Sequence, residues 1–233
     1  MEELLSQASL FDFKSDAYRN IVSLRVSESL FDDLSDEPED HALAQEIEYR
    51  SKPPSYRDGA TIINRPYDEA DYNNAIKYPF YNWSDNRFSD GTYGVWYGSA
   101  ELETTIHETA YHWRNGLLKD ANWQDLEGIV IERRVHLVHC HAAIIDIRPL
   151  CNEHSYLVGD SYHDTQALGR RIHHEGHPGL FTKSARCGGD NIAIFRERVL
   201  VDPRPLCYLT YTTHSSGIQI ERKPGQIILD INN

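Results

Sequence analysis

The sequence predicts an α+β fold: a mixed β core with flanking helices and a helical N-terminal extension. Two observations carry this expectation. The elements run in the order helices, strand, helix, strands, helix, then mostly strands, which is not the alternation of a doubly wound sheet. There is also no G-x-G-x-x-G and no P-loop motif, so neither a dinucleotide fold of that kind nor a nucleoside triphosphatase has support. With 233 residues, 40% of them hydrophobic and 25% charged, the chain can bury one sizeable core.

Residues 1 to 52 are expected to be mainly helical, and 53 to 233 to form the main domain. The segment "DEPEDHALAQEIEYR" (Asp36 to Arg50) is the clearest helix. Acidic residues crowd its start and Arg50 closes it, which suits the helix dipole. The "KPPS" run at Lys52 to Ser55 then breaks it. "TYGVWYGS" (Thr92 to Ser99) is glycine-bounded and rich in β-formers, so it reads as a strand. Ser99 is placed to cap the next helix, with Glu101 and Glu103 in its first turn. Leu102, Ile106, Ala110, Trp113 and Leu117 recur at helical spacing as its core face. "GIVIERRVHLVHCHAAIIDI" (Gly128 to Ile147) holds one or two strands, and Asp164 to Gly176 reads as a helix. "GLFTKSA", "NIAIFRERVL" and "PLCYLTYTT" read as three more strands. "GIQIERKPGQIILDI" reads as a hairpin turning at Pro224-Gly225.

Composition narrows the function. A net charge of -13 argues against direct nucleic-acid binding, which needs a basic footprint. A small anionic ligand held by a few local arginines stays open. The acidic amino terminus has no signal-peptide pattern, and no apolar run reaches the ~20 residues of a membrane span. Cys140, Cys151, Cys187 and Cys207 form no C-x-x-C pair and read as reduced thiols of a cytoplasmic protein. The sequence sets no oligomeric state, and a homo-oligomer is compatible with it.

"TTIHETAYHWR" nearly spells the H-E-x-x-H zinc motif, but His107 and His112 are five positions apart. On a helix they diverge by about 140° and cannot chelate one ion. In "HLVHCHAA", His139 and His141 share one strand face, and "HHEGH" adds His173, His174 and His177. A two-segment zinc site built from these lacks an acidic ligand at fixed spacing, so no metal is expected. Glu108 lies about 160° from the apolar stripe of its helix. On pattern alone it is a solvated glutamate.

A second reading comes from "NRFSDGTYGVWYGSAELETTIHETAYH". Arg87 precedes a glycine-containing turn, Tyr97 lies near a strand end, and Glu108 lies on the following helix. A strand-turn-helix unit can bring the three to one cleft. This run resembles the RES domain family, named for its Arg, Glu and Ser. The later segment "YHDTQALGRRIHHEGHPGLFTKSARCGGDNIAIF" resembles the family's second block, with Ser184 matching its serine. Together the two blocks span Pro79 to Phe195, about half the chain.

The resemblance implies a fold like the ADP-ribosyltransferase toxins. It also implies the cleavage of NAD, as substrate, between nicotinamide and ribose, with water, phosphate or a protein as acceptor. It implies a helix-turn-helix antitoxin as partner. Such cleavage builds positive charge on the ribose, and a carboxylate there gains strength as the charge develops. Glu108 fits that role, and Arg87 fits a forked cation for the diphosphate. Tyr97 would stack on the nicotinamide or bond its ribose, and Ser184 would orient Glu108 or bind the ribose. Tyr81, in "YPFYNW", stands where longer members carry an arginine, so Arg25 or Arg65 would substitute. His163, Thr165 and Gln166 occupy the neighbourhood where short members carry a serine, so Ser184 would share its role with Thr165 or cede it to His163. Arg186 completes the expected substrate contacts. Two alternatives use the same site: a protein ADP-ribosyltransferase, and a degenerate module that binds without turnover.

Overall fold

The computed structural model describes residues 2–23 and 73–232. Its centre is an eight-stranded mixed sheet flanked by few helices, the α+β architecture expected. The strands are β1 (Ser9–Val22), β4 (Trp96–Ser99), β5 (Val130–Asp146), β6 (Gly179–Lys183), β7 (Asp190–Ile194), β8 (Leu200–His214), β9 (Gly217–Lys223) and β10 (Gln226–Asn232). A separate two-stranded hairpin joins β2 (Asp85–Asn86) to β3 (Ser89–Asp90). The helices are α1 (Glu2–Gln7), α2 (Tyr78–Tyr81), α3 (Leu102–His112) and α4 (His163–His174), with π-helical stretches at Asn73–Lys77 and Trp113–Leu118.

The sheet order is β1-β4-β7-β6-β5-β8-β9-β10, and β1 pairs with β5 as well. Tyr18 has Ser99 on one side and Leu137 on the other. The first five strands in that order therefore close into a ring, joined at Tyr18↔Ser99 on the β4 side of β1. β5 and β6 run parallel, while the other pairs are antiparallel.

The reading of residues 1 to 52 as helical is corrected over Ser9–Val22. That segment is a strand paired with β5 along its whole length, from Ser9↔Asp146 to Val22↔Arg133. Phe13, Ala17 and Asn20 are its buried residues, and Asp12 and Lys14 beside Phe13 are exposed. These residues thus belong to the same sheet as the main domain. Asp36 to Arg50, the boundary at residue 52, Arg25 and Arg65 lie outside the described residues. Val130–Asp146 is one long strand. At the Pro224-Gly225 turn, Gly225 has a φ of +76°, as a type II turn requires at its third position.

Two close contacts position the site. Trp96 is fully buried and donates from its indole to the Ala75 carbonyl at 2.6 Å, which satisfies the one polar atom of a large apolar side chain. Gly169 of α4 packs directly on the β2–β3 hairpin, where an added Cβ would lie 2.0 Å from the Phe88 carbonyl oxygen. Only glycine allows the helix this close, so α4 sets the height of the hairpin that carries Arg87.

Candidate active site

α3 carries two stripes. Ile106, Ala110 and Trp113 are buried against β8 and β9, with Leu102 packed beside them. Leu117 was expected to continue this stripe but is exposed, because the helix widens to π geometry from Trp113 onward. Thr105, Glu108, Thr109 and His112, at i, i+3, i+4 and i+7, line a cleft of about 420 Å³ instead. The angle that made Glu108 read as solvated is therefore correct, but the face it points from is covered by the rest of the fold. Its side chain is 19% exposed.

The Glu108 carboxylate is held on one oxygen. Oε1 accepts from Ser184 Oγ at 2.6 Å and from Asn191 Nδ2 at 2.6 Å. Oε2 accepts no hydrogen bond among the described residues, and His112 Nε2 lies 4.0 Å from it. The two donors are themselves oriented. Ser184 Oγ accepts from the backbone N–H groups of Arg186 (3.0 Å) and Cys187 (3.3 Å), so its proton is directed to Glu108. Asn191 Oδ1 accepts from Ser99 Oγ at 2.7 Å, which turns the amide so that its N–H faces the carboxylate. This is the role of Ser99. It does not cap α3, whose first turn has no side-chain cap. Asn191 sits on β7 directly opposite Ser99 on β4, so strand register builds the clamp.

The turn after β6 is fixed from beneath. Ser184 N–H donates to the Gly189 carbonyl at 2.9 Å. Asp190 takes Lys183 Nζ at 2.6 Å and Arg148 Nη1 at 2.9 Å. Arg148 also forks onto Asp146. Burial pulls Asp146 upward, but the Arg148 hydrogen bonds outweigh it and hold the carboxyl below its ordinary range.

Arg87 and Tyr97 also line the cleft. Arg87 sits at the tip of the β2–β3 hairpin. Its Nη1 donates to the carbonyls of Gly159 (2.7 Å) and Leu157 (3.2 Å), and its guanidinium lies over the Tyr162 ring at 4.8 Å. Tyr97 stacks beside Phe88. Its hydroxyl donates to Asn86 Oδ1 at 2.7 Å and accepts from Phe88 N–H at 3.0 Å. Burial pushes its phenol well above the usual range, so it stays neutral and works as a packing and hydrogen-bonding group.

The remaining sequence-predicted residues fall outside the lining. Tyr81 is 72% exposed on α2, and the His163 side chain is 89% exposed and paired with Asp164. Thr165 is buried and donates to the Tyr162 carbonyl at 3.1 Å, so it shapes the start of α4. Gln166 donates to Asp85 Oδ1 and to the Asn86 carbonyl, which supports the hairpin from behind. Arg186 stands beside lining residue Ala185, stacked on Tyr111 and bonded to Asp160. The sharing of Ser184's place with Thr165 or His163 finds no counterpart here, because Ser184 alone of the three reaches Glu108.

β1 contributes two lining residues that the sequence reading missed, Arg19 and Asn20. Arg19 Nη1 donates to the Tyr97 carbonyl at 2.8 Å and its guanidinium lies 5.6 Å from the Trp96 ring. Its Nε is enclosed without an acceptor among the described residues. Burial, and then the neighbouring Arg133 charge, push its pKa down to about 10, so it remains a cation at neutral pH. Buried Asn20 donates to Tyr211 (2.9 Å) and Thr109 (3.2 Å) and accepts from Arg133 at 2.7 Å. No group of three or more His, Cys, Asp or Glu side chains is placed to share an ion among the described residues. Among them, no helix is long and apolar enough to cross a membrane.

The cleft thus sets one clamped carboxylate among arginines, a neutral tyrosine and amide groups. That arrangement has the chemistry to accept an anion and to stabilise positive charge beside it. No curated protein matches the chain. Among solved structures, it is similar to one described as the crystal structure of the M. tuberculosis MbcT-MbcA toxin-antitoxin complex, at 12% identity, 90% coverage of each chain and a TM-score of 0.46. The model of the RES domain matches residues 61–214, which is more than half of the 233 residues; the chain belongs to the RES domain family.

Proposed function

We propose that this protein is a RES-type toxin that breaks NAD at the bond between nicotinamide and ribose. The observation that carries the reading is the clamp on Glu108: two donors on Oε1, with Oε2 left free beside the cleft. In the reaction the bonding pair leaves with the nicotinamide, which departs as a neutral base. Positive charge spreads over the anomeric carbon and the ring oxygen. A carboxylate fixed in place is worth more to that transition state than a mobile one, because it does not have to reorganise. The free Oε2 would bond the ribose hydroxyls. Arg87 and Arg19 would take the diphosphate, since a planar fork matches paired phosphate oxygens. Tyr97, neutral and stacked, would bound the nicotinamide side.

The degenerate-module alternative rests on Tyr81 standing in place of an arginine. Arg19, reaching the cleft from β1, weighs against it by supplying a guanidinium from elsewhere. Water or phosphate is the acceptor in this proposal. A helix-turn-helix antitoxin that covers the cleft, and action in the cytoplasm where NAD is plentiful, complete it. Glu108→Ala tests the reading: nicotinamide release should vanish in a variant that keeps its thermal transition. Undiminished release from that folded variant would sink it.

A further inference from the structure

Beside the cleft, the segment Leu157 to Asp160 engages two arginines: Arg87, which lines the cleft, and Arg186, next to lining residue Ala185. Arg87 Nη1 is taken by the carbonyls of Leu157 and Gly159. Arg186 Nη1 is taken by Asp160 Oδ1 at 2.9 Å. Leu157 is fully buried and anchors the segment, while the Asp160 side chain is 79% exposed. Arg186 is held rigidly. It is 13% exposed, its guanidinium carbon lies 3.3 Å from the centre of the Tyr111 ring, and its Nε is enclosed without an acceptor among the described residues. The Tyr111 hydroxyl also leans on Asp160 Oδ1, at 3.5 Å.

Both cations are thus under-used. Each guanidinium has five donors, yet the hydrogen bonds each makes run through Nη1 alone, and Asp160 is the one carboxylate bonded to either among the described residues. An exposed carboxylate on a fixed guanidinium is a weak partner. A phosphate, with more charge and more acceptor oxygens, would displace it. We infer that Asp160 is a built-in competitor for the anion of the ligand: its carboxylate holds an anion position on Arg186 at the edge of the cleft, and a nucleotide diphosphate that reaches Arg87 exchanges with it there. Asp160 thereby sets the affinity of the cleft for its ligand. The identity of the ligand as NAD rests on the function proposed above; the presence of an anion competitor does not.

The test is a binding cycle by titration calorimetry, with ADP as the probe for the diphosphate. Wild type, Asp160→Asn, Arg186→Ala and the double variant are compared. Asp160→Asn removes the competing charge and keeps the shape of an exposed side chain. It should bind ADP about three- to fivefold tighter, the ceiling that an exposed ion pair allows, with the gain shrinking as salt rises. In the Arg186→Ala background the same change should have no effect. Unchanged or weaker ADP binding by Asp160→Asn overturns the inference, as does a gain that survives loss of Arg186. Nicotinamide release from NAD, followed in parallel, separates the two claims. Tighter ADP binding without turnover would leave the competitor standing and remove the NAD-cleaving reading.

Discussion

Asn191→Asp is the most searching perturbation of the clamp, because it changes charge and almost nothing else. The amide nitrogen of Asn191 lies 2.6 Å from Glu108 Oε1, and its oxygen takes the Ser99 hydroxyl at 2.7 Å. The substitution puts a second carboxyl in that place. Two unit charges about 4 Å apart at an effective dielectric of about 20 repel by about 4 kcal/mol, so the pair resists losing its last proton. While that proton is present, the new carboxyl donates to Glu108 as the amide did, and the clamp holds. Once it is lost, the clamp becomes a repulsion. The sign follows: the last proton of the pair is held above the ordinary carboxylate range, so function is present below that step and lost as pH rises through it. Native stability moves the same way, matching wild type at acid pH and falling behind it toward neutral pH. The assay is the pH profile of nicotinamide release, with thermal midpoints at each pH. A descending limb in the variant that wild type lacks is the expected result. A profile parallel to wild type would refute the claim that the Asn191 amide orients the carboxylate by donating to it. The step belongs to the coupled pair and not to either residue.

Two further predictions follow from the same geometry. Ser184→Ala removes one donor to Glu108 and the acceptor of two backbone N–H groups. Hydrogen bonds to charged groups contribute about 1.5–3 kcal/mol, so kcat should fall roughly 10- to 100-fold with KM little changed, and denaturant unfolding should show a loss of about 1–3 kcal/mol. Gly169→Ala drives a methyl group into the Phe88 carbonyl, 2.0 Å from where its Cβ would stand. It should cost about 1–3 kcal/mol by overpacking and raise KM more than it lowers kcat, because the displaced element is the hairpin that holds Arg87.

The parts of the site that the sequence made legible are those whose signal is local. Arg87, Tyr97 and Glu108 lie within one continuous run and share one cleft in the fold. Glu108 was ambiguous for a physical reason. A helix face opposite the core stripe is solvated only if nothing else covers it, and here β7 and the turn after β6 do. Arg19 and Asn20 were missed because β1 was read as helix. The signal was present: in "LFDFKSDAYRN", Phe11, Phe13 and Ala17 alternate with Asp12, Lys14 and Asp16, a period of two. What no pattern in β1 alone reveals is its partner, since the pairing with β5 spans more than a hundred residues of chain. Asn191 stands in a strand pattern that by itself assigns it no role. Its role depends on the register between β4 and β7, which only the closed sheet defines. Tyr81 is the opposite case: its place in a motif put it among the expected ligand contacts, and α2 carries it to the surface, outside the lining.

In the proposed reaction a clamped Glu108 drives cleavage of the nicotinamide–ribose bond. The most direct measurement is NMR of NAD incubated with wild-type protein and with Glu108→Gln, each with and without added phosphate. Free nicotinamide is expected from wild type in at least one buffer, and none from the folded variant. A product that becomes phosphorylated ADP-ribose when phosphate is present would identify phosphate as the acceptor, and ADP-ribose alone would identify water. Intact NAD with folded, partner-free wild type in both buffers, or equal release from Glu108→Gln, would contradict the proposed reaction.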